Sequence, residues 1–170
     1  MRDHSGQRLA NAGCAAQARV DSARGMFKRI QYVVIAVQDA VETAAFYTKT
    51  YGLAAKPPDD IPATSVRRVL VDVGNAWIEL VQPLRDDIPV AKFLRERGEG
   101  LFMLAVEVDD PEKAIADLRE RGAKVTDAGM PADGPPIRAY IHPKSAHGVL
   151  IAILSGAAAS PGAGAPHPRR

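Results

Sequence analysis

The residues able to do chemistry in this chain are few, and they fall at alternating positions in short apolar segments. Tyr32 lies in "IQYVVIAV", Arg68 and Asp72 in "SVRRVLVDV", and Trp77 and Glu79 in "AWIELVQ". Met103 lies in "LFMLAVEV", and Arg138, Tyr140 and His142 in "IRAYIH". Arginine forks suit carboxylates and phosphates because they bind two oxygens at once, so Arg68 and Arg138 are expected to anchor an anion. Glu79, desolvated against Trp77 and Met103, becomes a usable general base, with Asp72 as the next candidate. Tyr32 or an arginine then stabilises the oxyanion that proton removal next to a carbonyl creates. Trp77, Tyr32 and Tyr140 offer ring surface for a planar ligand. The competing expectations are that both arginines are solvated strand residues, that Glu79 merely pairs with Arg68, and that His142 sits in a tight His-Pro turn.

The elements that position these residues follow from periodicity. Strict alternation marks strands, and a 3.6-residue period marks helices. "IQYVVIAVQDAVETAAFYTKTYGLAAK" reads as strand, helix and glycine stop, and "LFMLAVEVDDPEKAIADLRERGAKV" repeats that order about 70 residues later. Asp39 and Asp110 are placed to cap the two helices, Pro111 suits the first helical position, and Gly52 and Gly122 suit left-handed stops. "SVRRVLVDV" and "AWIELVQ" form a hairpin through Gly74–Asn75, and "IRAYIH" and "GVLIAIL" are the matching pair. "LAAKPP" and "AKVTDAG" each supply a further strand, and "PVAKFLRER" is a linking helix. The class is therefore α+β, built from two tandem βαβββ modules forming a curved mixed sheet around a cleft. The modules span about 27–84 and 100–154, with a linker helix at 88–98.

Sorting the strands by face gives one aliphatic side, with Val33, Ile35, Val69, Val71, Ile78, Leu80, Leu104, Val106, Ile151 and Ile153. It must pack on the helices. The opposite side mixes aromatic, charged and small residues: Tyr32, Val34, Arg68, Leu70, Asp72, Trp77, Glu79, Met103, Ala105, Arg138, Tyr140, His142 and Ala152. An apolar wall with a few placed polar groups is the composition of a ligand cleft. Arg68 and Arg138 fall at matching places in the two copies.

Composition bounds the rest. The 170 residues carry a formal net charge of +2, too weak for a nucleic-acid surface. Cys14 is the only cysteine, which excludes an internal disulfide and fits a reducing, cytoplasmic setting. No apolar run approaches the roughly 20 residues that span a bilayer. Residues 1–26 are expected to be a flexible extension and 155–170, rich in Gly, Ala and Pro, a disordered tail, leaving 27–154 as one domain.

The words "IQYVVIAVQD", "VGNAWIELVQPL", "PVAKFLRERGEGL", "EVDDPEKAIADLRERGAKV" and "HPKSAHGVLI" resemble the vicinal oxygen chelate superfamily, and within it the methylmalonyl-CoA epimerase family. The resemblance implies the paired βαβββ fold and a homodimer. It also implies a divalent metal held by His, Glu or Gln at four strand positions. Those positions fall on Tyr32, Glu79, Met103 and Ala152, so only Glu79 keeps a ligand chemistry. Usual catalytic sites need three protein ligands, and rebuilding one from Glu79, His142 and His147 is not favoured. The expectation is a chain without metal or cofactor that acts on or binds a small hydrophobic metabolite bearing an acid or carbonyl group, such as an acyl thioester or a polyketide-like molecule. An enzyme moving a proton or closing a ring is favoured. A non-catalytic, antibiotic-type binding protein is the alternative, and a genuine metal-assisted epimerase the third.

Overall fold

A computed structural model describes residues 25–129 and 137–156. Strand β1 (Arg29–Ala36) leads into helix α1 (Ala40–Tyr51), then β2 (Ala54–Ala55), β3 (Asp59–Ile61), β4 (Val66–Asp72) and β5 (Trp77–Pro83). Helix α2 (Pro89–Arg97) crosses to β6 (Gly100–Val108), α3 (Pro111–Glu120), β7 (Val125–Asp127), β8 (Ile137–Ile141) and β9 (Leu150–Ser155).

Local chemistry explains the helix ends. The Asp39 carboxylate accepts the N–H groups of Val41 and Glu42, both at 2.9 Å, and Asp110 accepts that of Lys113 at 3.0 Å. Each satisfies donors that the first helical turn leaves unpaired. Gly52 ends α1 at φ 69°, a left-handed conformation in which a Cβ would be strained.

The strands form one sheet ordered β2-β4-β5-β1-β6-β9-β8-β7, with β3 added beside β4. β1 runs parallel to β5, and β6 parallel to β9. The two halves meet where β1 pairs antiparallel with β6. There Tyr32 lies opposite Ala105 and Val34 opposite Met103. An antiparallel pair has a local two-fold axis, which here exchanges Tyr32 with Met103 and Val34 with Ala105. Glu79 pairs with Val34 and Ala152 with Ala105, so Glu79 and Ala152 exchange as well.

The aliphatic face packs on the helices as two clusters. Ala40 and Ala44 of α1 meet Val69, Val71 and Leu80, while Ala114 and Ile115 of α3 meet Val108, Ile141 and Ile153. The linker helix lies on the other side, where Val90 and Leu94 join Tyr32, Val34, Leu70, Val81 and Ala105.

Several boundaries differ from those predicted. Met26, assigned to the extension, packs on the α3 cluster. Ser155 completes β9, and the N–H of Gly156 donates to the carbonyl of Val108 at 3.1 Å, so both residues belong to the folded domain. Most of 1–26 and 155–170 lies outside the described residues. "LAAKPP" yields only the two-residue β2, and the unforeseen β3 follows it, because Asp59 and Asp60 line up with Arg68 and Arg67 across the ladder. Val73, which alternation carries onto the packed face with Val69 and Val71, is 38% exposed because β4 has already ended at Asp72.

Leu80 is completely buried between α1 and the sheet. Leu80→Ala is expected to cost about 2–5 kcal/mol through lost burial and a residual cavity. Asp39→Ala should cost only about 1 kcal/mol. Urea denaturation of both variants checks the order.

Candidate functional site

Two rows of side chains cross the sheet on the face opposite α1 and α3. One runs Asp72, Trp77, Tyr32, Ala105, Ala152, Tyr140 in register. The next runs Leu70, Glu79, Val34, Met103, Leu150. The positions Tyr32, Glu79, Met103 and Ala152 thus surround the β1–β6 seam. Tyr32 is 6% exposed and Ala152 fully buried, while Trp77, Glu79, Met103 and Tyr140 are half-buried. The face is narrower than alternation alone suggests, because Ile88, Val90, Phe93 and Leu94 from the linker region pack on it.

Glu79 is the central charge. An Arg68 nitrogen lies 3.8 Å from its carboxylate, and Arg68 makes a shorter pair, 2.8 Å, with Asp59. The guanidinium is therefore shared, and Glu79 receives the weaker half. Burial pushes the Glu79 carboxyl above the usual carboxylate range, and Arg68 offsets only part of that. The Tyr32 hydroxyl is pushed up chiefly by burial and then by Glu79, with Gln31, Arg68 and Arg29 pulling the other way. Tyr32 consequently stays a neutral donor. Burial raises Tyr140 as well. Lys56 places its ammonium 4.7 Å from the Trp77 ring centre, a cation–π contact at the edge of the face.

Two predicted members, Arg138 and His142, fall elsewhere, and a third, Asp72, stays beside Trp77 but is engaged by a turn. Arg138 does not converge with Arg68. The β8–β9 ladder shifts register between Ile137 and Ala139, so Ile137 lies opposite Leu154 just as Arg68 lies opposite Val81. The bulge gives Ile137 the place equivalent to Arg68, and Ile137 packs in the cluster on the site face. Arg138 instead pairs with Glu112 of α3 at 2.7 Å, on the side of the opposite layer. His142 is exposed and caps the turn Pro143–Ser145, its Nδ1 accepting the Lys144 N–H at 3.0 Å. Asp72 accepts the Gly74 N–H at 2.7 Å and so fastens the β4–β5 turn.

Gln31 is the residue that alternation misses. It is 3% exposed, and neither of its side-chain amide atoms has a hydrogen-bond partner among the described residues. A register shift between Ile30 and Tyr32 makes it the extra residue of a β-bulge, turned to the side of Tyr32. The amide stands near the Tyr32 hydroxyl and favours its ionised form without closing a well-aligned bond. A buried unpartnered polar group costs about 1–3 kcal/mol. The available sequence signal was a glutamine at a position that strict alternation assigns to the aliphatic face.

The donor set at the four family positions is a phenol, a carboxylate, a thioether and a methyl group. That set does not fit a hard divalent cation, which wants several oxygen or imidazole donors. Among the described residues no group of three or more His, Cys, Asp or Glu side chains is placed to hold a metal ion. A depression of about 300 Å³ lined by Gln38, Pro83, Asp86, Ala91, Leu94 and Arg95 shares no residue with the predicted set. No helix among the described residues is long and apolar enough to cross a membrane.

Residues 31–140 match the family described as Glyoxalase/Bleomycin resistance protein/Dioxygenase superfamily. An ethylmalonyl-CoA/methylmalonyl-CoA epimerase of Cereibacter sphaeroides is 35% identical over 132 residues, covering 75% of this chain and 98% of its own length. The crystal structure of methylmalonyl-CoA epimerase from Mycobacterium tuberculosis superposes with a TM-score of 0.70 at 30% identity, over 79% of this chain and 92% of that one. A variant of the Streptomyces coelicolor methylmalonyl-CoA epimerase, solved in complex with 2-nitronate-propionyl-CoA, gives 0.68 at 29% identity over 80% and 99%.

The raised Glu79 carboxyl carries a stability consequence. A carboxyl whose folded pKa lies above its unfolded value costs nothing while both states are protonated. The cost grows as pH rises from the unfolded pKa and is complete above the folded one. Glu79→Gln removes it. The variant is expected to match the parent's melting temperature near pH 4 and to exceed it at pH 7–8, by about 2–4 °C per kcal/mol recovered. Thermal scans across pH check this, and equal curves at all pH values would contradict the assigned environment.

Proposed function

Because this chain belongs to the Glyoxalase/Bleomycin resistance protein/Dioxygenase superfamily, with methylmalonyl-CoA epimerases among its relatives, we propose that it moves a proton at the carbon next to an acyl-thioester carbonyl, with Glu79 as the base and no resident divalent metal. The observation that carries this is the buried Glu79 carboxyl, raised by desolvation and only loosely paired with Arg68, beside a neutral Tyr32 hydroxyl. A base with a raised pKa suits proton abstraction near neutral pH.

In the proposed step the ionised Glu79 takes the proton from the carbon. The C–H electron pair becomes a carbon–carbon double bond, the carbonyl π pair moves onto the oxygen, giving an enolate, and Glu79 becomes a neutral acid. The Tyr32 hydroxyl donates to that oxygen, the place where charge develops. Arg68 holds an anionic group of the substrate, exchanging part of its contact with Asp59 for it. Glu79, after exchange with solvent, returns a proton to the face it left, which gives exchange with retention; inversion requires a second donor on the opposite face. Trp77, Met103 and Tyr140 supply the apolar wall. The proposed setting is a cytoplasmic homodimer: the single Cys14 supports a reducing compartment, and family resemblance supports the dimer.

One observation favours a second reading, a binding protein without turnover. Trp77 is half-buried with the Lys56 ammonium over its ring, an arrangement that also suits an aromatic wall against a planar ligand.

Incubation with methylmalonyl-CoA in D2O, followed by mass spectrometry, separates the two. Proton transfer puts deuterium on the carbon, and Glu79→Gln is expected to slow that incorporation by at least about 100-fold. Arg68→Met should weaken binding by about 10- to 100-fold. Tight binding with no deuterium incorporation would support the binding protein instead.

Metal independence has its own check. A chelator is expected to leave exchange unchanged. The combined variant Tyr32→His, Met103→His and Ala152→Glu is expected to gain cobalt or manganese binding by calorimetry, since Glu79 already supplies the fourth ligand.

A further inference from the structure

We propose that the side-chain amide of Gln31 is a ligand-binding group of this site, donating from Nε2 to the thioester oxygen as it becomes an enolate; this rests on the acyl-thioester reading above.

Three observations converge on it. Gln31 is 3% exposed, and both polar atoms of its side chain lack a hydrogen-bond partner among the described residues. Buried amides elsewhere in proteins are almost always paired, so an orphan marks a place that something else fills. Its position is also built. The β1–β6 seam carries two register shifts related by the local two-fold, one leaving Gln31 as the extra residue on β1 and the other leaving Phe102 on β6. Phe102 packs into the site-face cluster, its ring edge-on to Phe93 with centres 5.4 Å apart. The same backbone device therefore presents an apolar ring in one half and an amide in the other, where an apolar side chain would have packed without an unmet donor. Finally, Gln31 borders the reacting groups. Its amide acts on the Tyr32 hydroxyl, which in turn feels Glu79.

Nε2 of Gln31 and the Tyr32 hydroxyl then form a pair of neutral donors facing one oxygen. They take the part that a cation would otherwise play at that oxygen, and they suit a chain whose donor set does not fit a divalent metal. The substrate class is an acyl thioester with an acidic carbon next to the carbonyl. Glu79 accepts the proton, the carbonyl π pair goes to the oxygen between Gln31 and Tyr32, and the charge sits between two donors that stay protonated.

Calorimetry with two probes tests this on the full-length protein. Propionyl-CoA presents a ground-state thioester, and 2-nitronate-propionyl-CoA carries a planar anion that mimics the enolate. Gln31→Met keeps length and bulk but removes both polar atoms. It is expected to weaken nitronate binding by about tenfold or more, the range for a hydrogen bond to a charged group. Propionyl-CoA binding should change less than about threefold, since a neutral carbonyl gains less from the donor. The melting temperature should rise, because an unpaired buried amide is removed. Equal nitronate affinity in parent and variant overturns the role of Gln31 while leaving the acyl-thioester reading standing. A lower melting temperature, or failure of both Gln31→Met and Gln31→Leu to fold, shows that the amide serves the fold and overturns the proposal. A parent protein that binds neither probe overturns the acyl-thioester reading, and this assignment with it.

Discussion

The antiparallel pairing of β1 with β6 is the contact that decides where everything else in this protein lies. Each module, β1–β5 or β6–β9, buries one face against its own helix. Neither helix crosses to the other side, so the opposite faces become one surface only when the two first strands share a ladder. That ladder places Tyr32 against Ala105 and Val34 against Met103, and the parallel partners of those strands bring in Glu79 and Ala152. A shift of one residue at this seam would put Met103, Ala105 and Ala152 on the face opposite Tyr32, Val34 and Glu79, because side chains alternate with a period of two. The paired bulges at Gln31 and Phe102 fasten the register, since each extra residue fits only one alignment.

Around that seam the electrostatics follow from crowding. Asp59 sits on the short strand β3, opposite Arg68 on β4, and takes the closer contact with its guanidinium. Glu79 is left with a longer one while being more deeply buried than Asp59. A carboxyl that loses water without gaining a full ionic partner holds its proton more tightly. The same low-dielectric surroundings keep Tyr32 protonated. Carboxyl and phenol then both hold their protons more tightly than usual, for reasons set by packing rather than by residue type.

The linker helix has a second consequence. In sequence it only joins the modules, but Val90 and Leu94 pack against Tyr32, Val34 and Ala105. It covers part of the face, on which Trp77, Glu79, Met103 and Tyr140 stay half-buried.

Much of this was determined by the chain read alone. Alternation assigned Val69, Val71, Leu80 and Ile153 to the packed side, and Tyr32, Glu79, Trp77 and Met103 to the other. Asp39, Asp110 and Gly52 marked helix ends that the structure has, because caps and left-handed stops depend on a few neighbouring residues. The repeat of one unit about 70 residues apart pointed to two tandem copies of one module. What alternation could not supply was the register between strands, since a bulge is a relation between two strands and leaves no period in either. Arg138 therefore counted as the twin of Arg68, when one inserted residue gives that place to Ile137 and sends Arg138 to Glu112. Gln31 drew no reading from alternation, while a bulge turns it beside Tyr32. His142 went to a turn whose N–H needed it, and Asp72, though beside Trp77, is held by the Gly74 N–H. Local sequence determined which elements form and which face each buries. Only tertiary pairing, where an extra residue must be accommodated and a charge must find the nearest partner, decided which side chains meet.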